Sequence, residues 1–377
     1  MDLRPSAEQQ QLIDTFADLY DALAPPAVVQ AAEPWGHDAE LWRRLLATGG
    51  VEMALPEDHG GFGASLLDLA LVAEQHGRHV APAPLLEAQV AGRLLARLGA
   101  LPATVDSADL ARGRRLVTLA VRPASPGRAG LVLAGAVADD AIMLIGDRLV
   151  LVALTGRATP VRNLGCLPLA DVEFGTDHVV LAAGPTAVEL FATAVDEWRV
   201  LTAAALSGLA ARSLEIGVEY VKERKAFGRV VGEFQAVAHR LADRASEVDG
   251  CGLLVREAAW AAGAEPARAA ELASMALAFA AETARDTSHD ALHFHGGYGF
   301  TLEYPIQLYY RRARTWAAVL ESPAAGYRRV AAHHLPAGAA QAGSAPVGVP
   351  SAGVPPAGAA TAGAGDAAGD TVGGRTR

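Results

Sequence analysis

The sequence predicts an α+β multidomain chain: an N-terminal all-α domain over residues 1–110, a central antiparallel β domain over 111–185, and a C-terminal four-helix bundle over 186–335, followed by a disordered tail over 336–377. Three observations predict it. Apolar residues recur at helical spacing on both sides of a central region, short β-branched runs fill that region, and the C-terminal segment holds almost no large side chain. The chain has 377 residues, 51% of them hydrophobic and 20% charged, which is material for a large core and more than one simple domain uses.

In the first region Leu12, Phe16 and Leu19 share one helix face, and "AELWRRLLATGG" reads as a second helix stopped by a glycine pair. A Pro/Gly loop, "ALPEDHGGFG", then separates further apolar helices up to about Gly99. Between Arg115 and Ala183 the runs "RLVTLAV", "GLVLAGAV", "AIMLIGD", "RLVLVAL" and "DHVVLA" are short, β-branched and bounded by Gly, Asp or Pro. No helix-length pattern alternates with them, so an antiparallel sheet or small barrel is expected rather than βαβ units.

After Pro185, Leu206, Ala210, Leu214, Val218 and Val221 define one helix, ending at Gly228, and Phe234 to Val248 define a second. A third runs through "PARAAELASMALAFAAETARDTSHDALHFH", and a fourth from about Glu303 to His334. Short breaks between them imply antiparallel neighbours. The Ala/Gly/Pro segment from 336 buries too little apolar area to offset chain entropy.

A formal charge of −10 disfavours non-specific binding to nucleic acid or anionic membrane. The N-terminus lacks a signal-peptide pattern and no uncharged apolar run reaches membrane-spanning length, so a cytoplasmic protein without a membrane span is expected. Cys166 and Cys251 form no framework, and disulfides are not expected to hold the fold. His289, His293 and His295 include an i, i+4 pair, but no cysteine or close carboxylate completes a metal set, and none is expected. The run Arg311 to Arg314 reads as a helix face that makes salt bridges.

Three stretches carry a resemblance. "ERKAFGRVVGEFQAVAHRLAD" (223–243) and "HFHGGYGFTLEYPIQLYYRRAR" (293–314) resemble the C-terminal signatures of the flavin-dependent acyl-CoA dehydrogenases, and "ALPEDHGGFGASLLDLALVAEQHGR" resembles the N-terminal one. The resemblance implies FAD as cofactor, with Arg224 on the diphosphate of a neighbouring subunit's FAD, Phe227 and Gln235 beside it, and Gly296 and Gly297 at the adenosine end. His293, from the same signature, is placed with them. It also implies an acyl-CoA substrate, an electron-accepting flavoprotein and a homo- or hetero-oligomer.

The family's chemistry is α,β-dehydrogenation, in which a desolvated carboxylate takes the α-proton while the β-hydrogen leaves as hydride. The usual place of that carboxylate, counted from Arg311, falls on Leu320, with Glu321 one residue late; the alternative place falls on Trp198, with Glu197 adjacent. Glu321 and Glu197 are therefore the candidate bases, each displaced by about 100° of helix rotation. The β region also lacks the Thr-Glu-Pro and Gly-Ser segments that hold the flavin ring. These departures resemble the short, base-poor subunits of heteromeric members, where a second acyl-CoA dehydrogenase chain supplies the base. The expected function is dehydrogenation of an acyl-CoA thioester, alone or within a hetero-oligomer; the alternatives are a non-catalytic assembly subunit and a flavoenzyme acting on a carrier-protein thioester.

Overall fold

The computed structural model describes residues 3–98 and 105–335. The segment expected to be a disordered tail, 336–377, lies outside the described residues.

Helices come first: α1 (Ala7–Leu23), α2 (Pro26–Ala31), α3 (Ala39–Ala47), α4 (Leu66–Arg78), α5 (Leu85–Ala96) and α6 (Ser107–Ala111). Ser6 and Ser65 start α1 and α4 through capping boxes closed by Gln9 and Asp68, so sequence-local hydrogen bonds set both N-termini. The loop between α3 and α4 turns on Gly60 and Gly63, both at positive φ.

Seven strands follow: β1 (Val117–Leu119), β2 (Arg128–Val132), β3 (Asp140–Ile145), β4 (Arg148–Ala153), β5 (Ala158–Pro160), β6 (Ala170–Glu173) and β7 (Val179–Ala183). They form two sheets, ordered β1-β3-β4-β7 and β2-β6-β5. One pair departs from the antiparallel expectation: β1 runs parallel to β3. The chain leaves β1 for β2 in the other sheet and returns, and such a crossover brings the next strand back in the same direction. Strands β3 and β4 are buried on both faces. Ile142, Leu144, Leu149 and Leu151 face the main core, whereas Ala141, Met143, Val150 and Val152 face a second core between the sheets. The period of two in their sequences sorts these sets.

The C-terminal part is built on α7 (Pro185–Glu223), α8 (Gln235–Ala264) and α9 (Pro266–His295). Helix α7 is long and apolar enough to cross a membrane, but 78% of its most apolar window is buried inside this fold, where it packs on α4, α5, α8 and α9. Its contact with α4 is set by two glycines. A Cβ on Gly77 would lie 1.7 Å from the Ala205 carbonyl oxygen, and one on Gly208 would lie 1.9 Å from that of Glu74. The two backbones approach until no side chain fits between them.

Two helix boundaries differ from the sequence expectation. Helix α7 stops at Glu223, and residues 225–230 form a two-stranded hairpin, β8 (Lys225–Ala226) with β9 (Arg229–Val230). Phe227 and Gly228 turn it, both at positive φ, so the fold continues where a helix stop was expected. The fourth helix is two pieces, α10 (Ile306–Ala313) and α11 (Pro323–His334). Ser322 caps α11 at Ala325 and Pro323 follows at its first turn, a pair that begins a new helix rather than continuing one.

Candidate active site

The three parts of the chain meet around a narrow cleft. Helix α4 supplies His76, α5 supplies Glu87, α7 supplies Trp198 and Thr202, and the end of α10 supplies Arg312 and, just beyond it, Trp316. Loops of the β domain close it with Ala134 and Cys166. Among the described residues five non-glycine residues have positive φ, and three of them, Val80, Ala134 and Cys166, line this cleft. Backbone strain of this kind gathers where surrounding structure holds a site in shape.

Arg311 and Arg312 fix the β-domain wall. Both donate to Glu33, at 2.5 and 3.3 Å, and Arg311 also reaches the Cys166 Sγ at 3.3 Å. Arg314 lies over the Tyr310 ring, 4.4 Å from its centroid, so two of the run's arginines make ion pairs and the third stacks. Burial raises the Cys166 thiol pKa and lowers that of Arg312.

Neither carboxylate singled out from the sequence lines the cleft. Glu321 sits at the start of α11, where it accepts from Arg199 Nε at 3.0 Å and from Arg329 at 2.7 Å. Burial pushes its carboxyl up, but the hydrogen bonds and charges of Arg329 and Arg199 outweigh burial and hold it below the usual range. Glu197 is buried against Arg93, at 2.9 Å, and Arg97. Burial again acts upward and the two guanidinium groups more strongly downward. Clamped, ionised carboxylates are poor proton acceptors, since the charge that stabilises them must be given up on protonation. The side chain between Glu197 and Arg199, Trp198, is the one that enters the cleft.

Sequence reasoning missed Glu87. It lines the cleft from α5 and makes no side-chain contact with a cation; its only hydrogen bond is to its own backbone N–H. Burial pushes it up to about 7. Nearby His76 is buried with its Nδ1 3.2 Å from the Tyr20 hydroxyl, and burial, with the neighbouring His79, holds it down at about 3. The apolar neighbours of Glu87, Leu85 and Leu86, give no sequence signal of a site; only the packing of α5 against α7 and the β domain places it.

The residues that the resemblance assigns to FAD gather elsewhere, at the far end of α7. Tyr220, in the last turn of α7, stacks on His295 with centroids 4.0 Å apart, which brings the α7 end beside the α9 end. Arg224 and Gln235 are exposed on the first side, and His293, Gly296 and Gly297 on the second. Phe227 is 95% exposed at the tip of the hairpin and held at φ 52°. A Cβ at Gly296 or Gly297 would meet nothing within 4 Å. A bare aromatic, a guanidinium and an open glycine backbone fit one edge of an FAD diphosphate and ring system. They do not enclose it, and the β-domain region 116–137 lacks the Thr-Glu-Pro and Gly-Ser segments expected at the flavin ring.

Comparison with known proteins agrees with this architecture. Residues 6–100 match the acyl-CoA dehydrogenase N-terminal domain, and residues 188–319 the acyl-CoA dehydrogenase C-terminal domain. The acyl-CoA dehydrogenase IpdE2 of Mycobacterium tuberculosis is 32% identical over 336 residues, covering 87% of this chain and 98% of that one. Among solved structures, the ChsE4-ChsE5 complex of Mycobacterium tuberculosis superposes with a TM-score of 0.80 at 27% identity, covering 89% of this chain and 100% of that one. A Tcur3481-Tcur3483 steroid ACAD variant gives 0.78, also at 27% identity, covering 86% and 97%. With both domains matched and one relative above 30% identity across most of its length, the chain belongs to the acyl-CoA dehydrogenase family.

Proposed function

We propose that this chain is one subunit of a hetero-oligomeric, FAD-dependent acyl-CoA dehydrogenase, and that a partner chain carries the proton-abstracting carboxylate. The observation that carries the reading is the position of Glu321 and Glu197: each is held between two arginines, outside the cleft. The similarity to two-component complexes supports it. So does the bare end of α7, where groups suited to a cofactor stand uncovered in the single chain.

When bound, FAD supplies the oxidising centre that takes the substrate's β-hydrogen as hydride. This chain's part is to bind and orient it. Arg224 would make charge-assisted hydrogen bonds to the diphosphate, Phe227 would cover an aromatic face, and Gln235 would donate its amide. His293 and the Gly296-Gly297 backbone would face the adenosine end, where the missing side chains leave room for close approach.

The test is the visible spectrum of the full chain purified alone and after co-expression with a second acyl-CoA dehydrogenase chain encoded beside it. Flavin absorbance and acyl-CoA bleaching that appear only in the co-expressed complex support the proposal. A yellow, acyl-CoA-bleached protein from this chain alone overturns it.

A further inference from the structure

A groove of about 650 Å³ lies on a different face of α7 from the cleft. Thr193, Glu197 and Val200 of α7 line the groove, whereas Trp198, Thr202 and Ala205 line the cleft, so helical periodicity separates the two spaces. The end of α8 and the start of α9 form the far wall with the small side chains of Ala258, Ala262, Ala269 and Ala273, beside the half-buried Trp260. The volume falls within the range of small-molecule sites, about 300–1,000 Å³.

The charge at the floor of the groove defines what it takes. Arg93 Nε and Nη2 donate to Glu197 at 3.0 and 2.9 Å, and Arg97 Nη1 donates to it at 3.0 Å. The two arginine side chains remain 20% and 31% exposed, while that of Glu197 is 6% exposed. One carboxylate thus lies beneath two guanidinium groups that still line the groove, and the cluster keeps one positive charge. Asp196, the other carboxylate lining the groove among the described residues, does not offset it. It is held by Arg199 at 2.5 Å, and Arg199 and Arg329 together balance Asp196 and Glu321. Excess charge at the floor of a concave space with low-dielectric walls has its field focused along the opening. Arg97 engages Glu197 through Nη1 and Nη2, and a guanidinium carries five N–H donors, so donors remain for an incoming anion.

We propose that this groove is a second ligand site, separate from the cleft, and that it takes an organic carboxylate with an apolar body. The carboxylate pairs with Arg97 and Arg93 through charge-assisted hydrogen bonds, and the body lies along the alanine wall and Trp260. A neutral amphiphile leaves the positive charge unanswered. A small hydrophilic anion leaves the apolar walls in water. The site needs neither the partner chain nor the flavin of the proposed function, so the two readings stand or fall separately.

The experiment titrates decanoate, decanamide and acetate into the full chain, together with any partner that copurifies. Affinity is followed by calorimetry, and contact by the indole N–H resonance that Trp260→Phe assigns. Decanoate is expected to bind and shift that resonance, and the amide and acetate to bind at least tenfold more weakly. Arg97→Gln is expected to weaken decanoate at least tenfold, and Arg97→Lys to restore part of the affinity. Ala269→Phe, which fills the groove from the α9 side, is expected to abolish binding. No binding of decanoate, equal binding of decanamide, or an unmoved Trp260 resonance overturns the proposal. So does a decanoate affinity unchanged in Arg97→Gln or in Ala269→Phe. Displacement of decanoate by decanoyl-CoA, one for one, overturns the separation of this site from the one that takes the thioester.

Discussion

Arg199 Nε donates to Glu321 Oε1 at 3.0 Å, tying the middle of α7 to the start of α11 across 122 residues of sequence. Both side chains are largely buried, and Asp196 and Arg329 extend the pair into a four-residue network. A carboxylate so engaged locks the last helix onto the bundle. With its carboxyl held below the usual range, it has no favourable protonation step to offer a substrate.

Glu321→Gln in the assembled enzyme is therefore expected to leave turnover within about twofold while lowering stability. Truncation to alanine leaves buried Arg199 with Asp196 as its remaining carboxylate partner and an unmade hydrogen bond at Nε, and costs about 1–3 kcal/mol. Urea titrations of the two variants, run beside turnover assays, check this; a glutamine variant that binds acyl-CoA normally but does not turn over refutes it.

Glu197 anchors a second cluster, with Arg93 and Arg97 of the α5 region. Its removal places two guanidinium groups together with no counter-charge, and Glu197→Ala is expected to destabilise by about 3–5 kcal/mol. Because the group is ionised below the usual range, its contribution is present above the ordinary carboxylate pKa and lost as pH falls through its lowered value. Wild-type stability should thus fall on acidification more steeply than that of Glu197→Ala.

His76 and Glu87 act on pH dependence with opposite signs. His76 is lowered from 6.5 to about 3, so the stability it contributes is present above pH 6.5 and lost as pH falls toward 3. Glu87 is raised from 4.5 to about 7, so its contribution is present below pH 4.5 and lost as pH rises through 7. His76→Phe is expected to flatten the acid limb and Glu87→Gln the limb between pH 4.5 and 7. Melting temperatures across pH 4 to 8 read both.

Substitutions at exposed Phe227 can separate folding from the proposed cofactor contact. Since the ring is exposed, Phe227→Ala should change the stability of the chain by less than about 0.5 kcal/mol. Phe227→Gly, which relieves the positive φ, should stabilise it by about 1 kcal/mol. Both variants are expected to lose flavin from the assembled enzyme, measured as flavin absorbance per polypeptide.

At the α4–α7 crossing, Gly77→Ala or Gly208→Ala forces a methyl group onto a carbonyl oxygen of the facing helix. The backbones must part, which costs about 1–3 kcal/mol or more. Gly263→Ala, where nothing lies within 4 Å and the residue is in α8, is the control and should be neutral or slightly stabilising.

Much of this molecule is written locally. Helical periodicity, capping serines and the period-two alternation of β3 and β4 announce the order of helices, sheets and bundle, because each is decided by residues a few positions apart. The break in the fourth helix was equally local, in Ser322 and Pro323, but the apolar pattern running through it masked the signal. The parallel β1–β3 pair depends on where the chain goes between two strands, which strand sequences do not encode. The site lay further beyond local reading. Counting along the last helix put Glu321 one residue from its expected place, and the fold then gave it to Arg199 and Arg329, residues from elsewhere on α7 and α11. Glu87 looked like one polar residue in an apolar helix, and became the unpaired carboxyl of a cleft only through α7 and the β domain closing around it. Protonation and availability depend on burial and on neighbours distant in sequence, so tertiary structure alone decides them.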